Sequence, residues 1–175
     1  MVPLGSAMPE FTLSDLAGSQ VSSADLAGRP VLVAFVCNHC PYVKHVETVF
    51  GETVRRFADD LAVVAVCTND PASHPDDAPE RLAEQAERAR WEFPYLVDET
   101  QEVGRAFRAA CTPDFFLYDA RGALAYRGAM DGSTPGNGVP VTGELLADAI
   151  TRVVAGQAVP EPHRPSIGCS IKWRD

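Results

Sequence analysis

Six residues, Val31-Leu-Val-Ala-Phe-Val36, run without a polar break straight into Cys37-Asn38-His39-Cys40-Pro41. A short, continuous apolar run rich in β-branched side chains is the pattern of a strand buried on both faces, as in the middle of an α/β sheet. Pro41 suits the first turn of a helix, and Val43, Val46, Val49, Phe50 and Val54 follow at helical spacing. The two cysteines are thus expected on a strand-to-helix turn. That junction is the strongest constraint on the fold.

The rest of the chain repeats the alternation. Residues 11–28 read as a small β-hairpin, with Ser22 to Asp25 capping a short helical turn that stops at Gly28. Leu61 to Val66 is a second buried strand. Asn69 to Pro79, with three prolines, is a loop. Glu80–Trp91 reads as a polar helix, Tyr95–Val97 as a short strand and Gln101–Ala110 as a helix. Asp114–Tyr118 and Leu124–Arg127 flank Ala-Arg-Gly as an antiparallel hairpin. Glu144–Ala155 is an amphipathic helix ending at Gly156. Residues 157–175 form a proline-rich, irregular tail. The expectation is one α/β domain over residues 1–175, with a mixed central sheet flanked by helices.

Charge and cysteine usage narrow the function. A net charge of −9, from 24 acidic and 15 basic side chains, repels phosphate backbones and anionic headgroups, so nucleic-acid and membrane partners are not expected. The amino end has neither a basic nor an apolar leader segment, and the longest apolar run is far short of the ~20 residues a membrane helix needs. The expected location is the cytoplasm. Five cysteines, an odd number in a chain of this size, argue against a disulfide framework and for chemistry.

A thiol attacks as its thiolate, which a helix amino terminus and a neighbouring imidazolium both favour. Cys37 and Cys40, three residues apart, are close enough to close a disulfide, and His39 lies between them. The second feature is Thr112-Pro113, directly before the strand at Asp114. Proline has no amide for the ladder, and X–Pro bonds are where cis peptides occur. Cys111 and Cys169 are candidate additional thiols near the pair, whereas Cys67 reads as inert core. His45, His74 and His163 receive no role.

These features together resemble the thioredoxin superfamily. Within it, the closer resemblance is to the peroxiredoxin-like (AhpC/TSA-redoxin-like) branch of bacterial thioredoxin-family proteins. It is carried by Phe35-Val-Cys-Asn-His-Cys-Pro-Tyr-Val43, Cys111-Thr-Pro-Asp-Phe-Phe-Leu117, Tyr126-Arg-Gly128 and Gly168-Cys-Ser-Ile-Lys-Trp173. The resemblance implies a thioredoxin-like fold with an N-terminal hairpin and an insertion between Asn69 and Thr100. It also implies dithiol–disulfide exchange without an organic cofactor, Cys37 as the exposed nucleophile, Cys40 as the buried resolving thiol, and Pro113 as a cis-proline facing them. The substrate would be a disulfide-containing protein or a small thiol, served by an electron donor that the sequence does not name. Oligomeric state is likewise unread.

Two other functions compete. A thiol peroxidase of the peroxiredoxin kind has a threonine three residues before its cysteine, where this chain has Cys37 before Cys40 and Ala34 before Cys37. A zinc-binding or redox-sensing module would draw on Cys37, Cys40, Cys111 and Cys169, but the second pair lacks the close spacing of a zinc knuckle; no metal is expected. Histidine before the second cysteine is closer to protein disulfide isomerase than to thioredoxin. The expected reduction potential therefore lies between theirs, about −270 to −180 mV. Titration against glutathione measures it, and a value clearly below that interval rejects the assignment.

Overall fold

The computed structural model describes residues 2–175. Its centre is the predicted strand, β3 (Val31–Phe35), every residue of which is buried. The others are β1 (Thr12–Asp15), β2 (Gln20–Ser22), β4 (Ala62–Cys67), β5 (Tyr95–Val97), β6 (Cys111–Thr112), β7 (Asp114–Tyr118), β8 (Leu124–Gly128) and β9 (Cys169–Ser170). Seven of them form one sheet in the order β2-β1-β5-β4-β3-β7-β8, while β6 and β9 pair apart from it. β3 runs parallel to β4 and antiparallel to β7, so the sheet is mixed.

Period-two alternation sends β3 side chains to both faces. Leu32, Ala34 and Val36 pack with Val43, Val46, Phe50 and Val54 of helix α1 (Pro41–Arg55), Leu82 of α2 (Pro79–Arg88) and Leu146 and Ile150 of α4 (Glu144–Val154). Val31, Val33 and Phe35 face the other way, onto Val103 and Phe107 of α3 (Glu102–Phe107). There Phe107 meets Phe11, Phe35, Phe116 and Tyr118, with ring centroids 5.3–6.0 Å apart. Buried Asp98 caps α3 by accepting from the Gly104 amide at 2.7 Å.

Residues 11–28 form the expected hairpin, and a reciprocal Ser22–Asp25 capping box starts the short 3₁₀ turn. The insertion is woven into the fold, because β5 pairs with both β4 and β1. Three expectations shift. The Asn69–Pro79 loop contains a 3₁₀ turn, Pro75–Asp77, and buries Asp77. Helix α3 is shorter than the pattern suggested, ending at Arg108 with positive φ. The tail, expected to be irregular, carries β9 and buries Ile171 in the second core layer.

Replacing Phe107 with alanine is expected to cost about 3–5 kcal/mol, as for other buried aromatic truncations. Urea unfolding measures the loss. The Cys37–Cys40 disulfide should still form, because this aromatic cluster lies across the sheet from the motif.

Candidate active site

Beyond Val36, whose amide still donates to Val66 O (3.0 Å), the chain leaves the sheet and turns at Asn38–His39. That turn is held from outside the motif. Asp77 Oδ1 accepts from the Asn38 amide at 2.7 Å and the His39 amide at 3.0 Å. Its Oδ2 pairs with His39 Nδ1 at 2.5 Å and accepts from Asn69 Nδ2 at 3.1 Å. A second support comes from α2. Gln85 Nε2 donates to the Cys37 carbonyl (2.9 Å), and Arg88 reaches Asn38 Oδ1 (3.0 Å) while pairing with buried Glu47 of α1 (2.8 Å). Tyr95 in turn orients Gln85 through Gln85 Oε1, at 2.8 Å.

Asp77, Gln85 and Arg88, none of them singled out from sequence, lie 38 to 50 residues along the chain from the motif residues they bond, and Glu47, equally unforeseen, acts through Gln85 and Arg88. The acidic His74-Pro-Asp-Asp77 stretch was the one available signal, and it reads as ordinary loop. His74, given no role, stacks against His39 with centroids 4.5 Å apart. His45 hydrogen-bonds Ser133, and His163 lies against Tyr126, both away from the pair.

The two cysteines occupy unlike positions. Helix α1 begins at Pro41, so Cys40, not Cys37, is its N-cap. The motif occupies the strand-to-helix turn that the sequence predicts, and the non-helical turn at 38–39 places Cys37 before the helix, beside Asp77. Both residues are wholly buried. Thr112, singled out with Pro113, meets the pair with two groups: its hydroxyl lies 3.3 Å from Cys37 Sγ, and its carbonyl lies 3.4 Å from Cys40 Sγ. The Thr112–Pro113 peptide is cis.

These surroundings pull the thiols apart. Cys40 falls to about 4, chiefly because the Cys37 thiol hydrogen-bonds its sulfur, with further help from Cys169 and the Val43 amide; burial works against this. Cys37 is pushed far up by sharing that proton with Cys40, by burial, and by the charge of Asp77. One neighbour opposes ionisation of Cys40. The Thr112 carbonyl accepts a proton from its thiol and offers nothing to its thiolate.

The outer thiols differ as well. Cys169 is partly exposed and packs against the layer containing both motif cysteines; burial and the neighbouring Cys40 lift it to about 11. Cys111 adjoins Thr112, but its sulfur points to the Pro113 carbonyl at 3.8 Å, and burial pushes it to about 12. Cys67 is buried on β4 and also raised by burial. Cys37, His39 and Asp77 bring one ligand atom each within 4.8 Å of one another. This differs from the four-thiolate set weighed above, and both Asp77 oxygens are already taken up by the turn.

A family model described as the AhpC/TSA family matches residues 4–127. The chain is 27% identical over 130 residues to the thiol-disulfide oxidoreductase ResA of Geobacillus thermodenitrificans, covering 70% of this chain and 67% of that one. It is 24% identical over 120 residues to the thioredoxin-like protein YneN of Bacillus subtilis, covering 69% and 68%. Among solved structures, an uncharacterized conserved protein from Geobacillus kaustophilus matches with a TM-score of 0.96 and 43% identity, over 99% of this chain and 94% of that one. With a thioredoxin-like sheet, a cysteine pair where β3 meets α1, and a family match across most of its length, this chain belongs to the AhpC/TSA family.

Proposed function

We propose that this chain is a thiol–disulfide oxidoreductase in which Cys40 is the sulfur through which a disulfide enters or leaves the pair, and Cys37 is the thiol that closes on it. The observation that carries this reading is the position of Cys40 at the N-cap of α1, where the amino end of a helix favours a thiolate, while Cys37 lies before the helix beside Asp77. It reverses the roles that the family resemblance implied.

In the reducing direction, Cys40 thiolate attacks a disulfide sulfur, forms a mixed disulfide and expels the first thiolate. Cys37 then loses its proton and attacks Cys40 Sγ, closing the Cys37–Cys40 bond and releasing the second thiolate. Asp77 holds Cys37 protonated until that moment, because its charge opposes a second anion nearby. His39, hydrogen-bonded to Asp77 and beside Cys37, is the group placed to take the proton. The substrate class is a disulfide-bearing protein or a small thiol, with the electron donor unidentified. The odd number of cysteines in a chain of this size supports a reducing compartment such as the cytoplasm.

A peroxidase reading gains nothing from the geometry. Among the described residues no arginine hydrogen-bonds either motif sulfur.

Thiolate absorbance at 240 nm separates the two role assignments. Reduced wild-type protein should carry one thiolate that ionises far below the ordinary ~8.5. Cys40→Ser removes it, and Cys37→Ser leaves a thiolate that titrates higher, its main stabiliser gone. A low-titrating thiolate that survives Cys40→Ser and vanishes in Cys37→Ser reverses the roles again. Failure of wild-type protein both to reduce insulin and to form a Cys37–Cys40 bond ends the oxidoreductase reading.

Linkage gives the pH dependence of stability. Because the folded Cys40 is more acidic than the unfolded thiol, its contribution is complete above ~8.5 and fades as pH falls toward about 4. The stability advantage of reduced wild type over Cys40→Ser should shrink across that window in urea titrations. Asp77→Asn should cost about 1.5–3 kcal/mol, the range for hydrogen bonds to a charged acceptor, and should let Cys37 ionise at lower pH.

A further inference from the structure

The motif pair is sealed from solvent by the carboxy-terminal strand. β9 pairs antiparallel with β6, placing Cys169 opposite Thr112 and Ser170 opposite Cys111. Thr112 is the residue whose hydroxyl and carbonyl touch the two motif sulfurs. Gly168 lies so close to the cis peptide that a Cβ there would stand 2.0 Å from the Thr112 carbonyl oxygen and 3.2 Å from Pro113 N. Any other residue would lift the strand off the site.

This segment is anchored on both sides of Cys169. Before it, Ser166 donates to Asp114 at 2.9 Å. After it, Ile171 is buried, the Lys172 amide donates to Asn69 Oδ1 at 2.7 Å, and its carbonyl accepts from Gln101 and the Asp70 amide. Arg174 closes the row on Asp70, and Trp173 sits 4.4 Å from the Arg105 guanidinium. A segment fixed at so many points is a standing wall of the site. Of the three sulfurs that meet there, Cys37 and Cys40 are fully buried, and Cys169 alone reaches the surface.

We propose that Cys169 is the third catalytic thiol of this enzyme, relaying the disulfide between the buried pair and partners outside through a Cys40–Cys169 bond. The proposal rests on the Cys37–Cys40 exchange reading and extends it. Starting from the oxidised pair, Cys169 loses its proton and its sulfur attacks Cys40 Sγ. The Cys40–Cys169 bond forms, the Cys37–Cys40 bond breaks, and Cys37 leaves as thiolate and takes up a proton. No electrons are gained or lost by the chain. An external thiolate then attacks the exposed Cys169 sulfur, and Cys40 leaves as thiolate. A second external thiol completes the transfer by displacing Cys169, so two outside thiols become one disulfide. The reverse sequence reduces an outside disulfide.

Two features suit Cys169 to this. It pairs with Thr112, so its sulfur is presented to Cys40 by a β-ladder rather than by chance collision, which raises the effective concentration of the internal step. Oxidation of Cys40 also removes the neighbouring negative charge that helps keep the Cys169 thiol protonated. The relay thiol is thereby easier to ionise when the pair has a disulfide to pass on.

Disulfide mapping tests this. Reduced protein is treated with one equivalent of diamide, quenched in acid, digested and mapped by mass without reduction. In Cys37→Ser the Cys40–Cys169 cross-link should be the main product. In Cys169→Ser the Cys37–Cys40 bond should form, yet its exchange with reduced glutathione should slow by roughly tenfold or more. Gly168→Ala, which keeps all five thiols but displaces the strand, should make the exchange rate independent of Cys169, since it removes both the cover and the ladder that presents the relay thiol. Circular dichroism and urea midpoints establish that each variant is folded. Absence of the Cys40–Cys169 cross-link in folded Cys37→Ser overturns the relay, as does a wild-type exchange rate in Cys169→Ser. If wild-type protein forms no Cys37–Cys40 bond at all, the fault lies with the exchange reading itself.

Discussion

Everything at the reactive centre hangs from the carboxylate of Asp77. A strand that leaves its sheet exposes amides that need partners, and here the first two of the turn find them on one buried oxygen. The same side chain fixes His39 and Asn69, so the motif, the loop before α2 and the end of β4 share one anion. Hydrogen bonds to a charged acceptor are roughly twice as strong as neutral ones, and the Asp77 side chain that accepts these is itself wholly buried. The turn geometry that lets Cys40 start a helix is set from a residue almost forty positions away.

From that arrangement follows the electrostatic difference between two chemically identical thiols. On one side stand helix amides with positive partial charge; on the other stands a fixed negative charge. A proton shared between two sulfurs in such a field settles on the one nearer the anion. The pair behaves as one titrating unit with widely split steps, so its chemistry belongs to the unit rather than to either cysteine alone. A reduced state stabilised in this way gives up disulfides readily, which favours the oxidising end of the expected potential range.

Local signals made the frame of this site readable in sequence. An unbroken apolar run marks β3, proline marks the start of α1, and Thr112-Pro113 marks the edge that confronts the motif. The supporting groups were invisible for a physical reason. Asp77, Glu47, Gln85 and Arg88 are polar residues on a loop and on helix faces that read as solvated, and only tertiary contact buries the first three and ties Arg88 to them. The tail was misread most. Composition rich in proline suggests no regular structure, yet two residues of ladder and one glycine suffice to bind it where it matters.

The strand that seals the site is also the last part of it to be made. About 130 residues separate Cys40 from Cys169, and translation at 5–20 residues per second takes roughly 6–26 s to cover them. Throughout that interval a nascent chain with β3 and α1 in place would carry its reactive sulfur without its cover. The order of synthesis thus gives each molecule one early period of vulnerability to stray oxidants and foreign thiols, which ends when Gly168 comes to rest on the cis-proline.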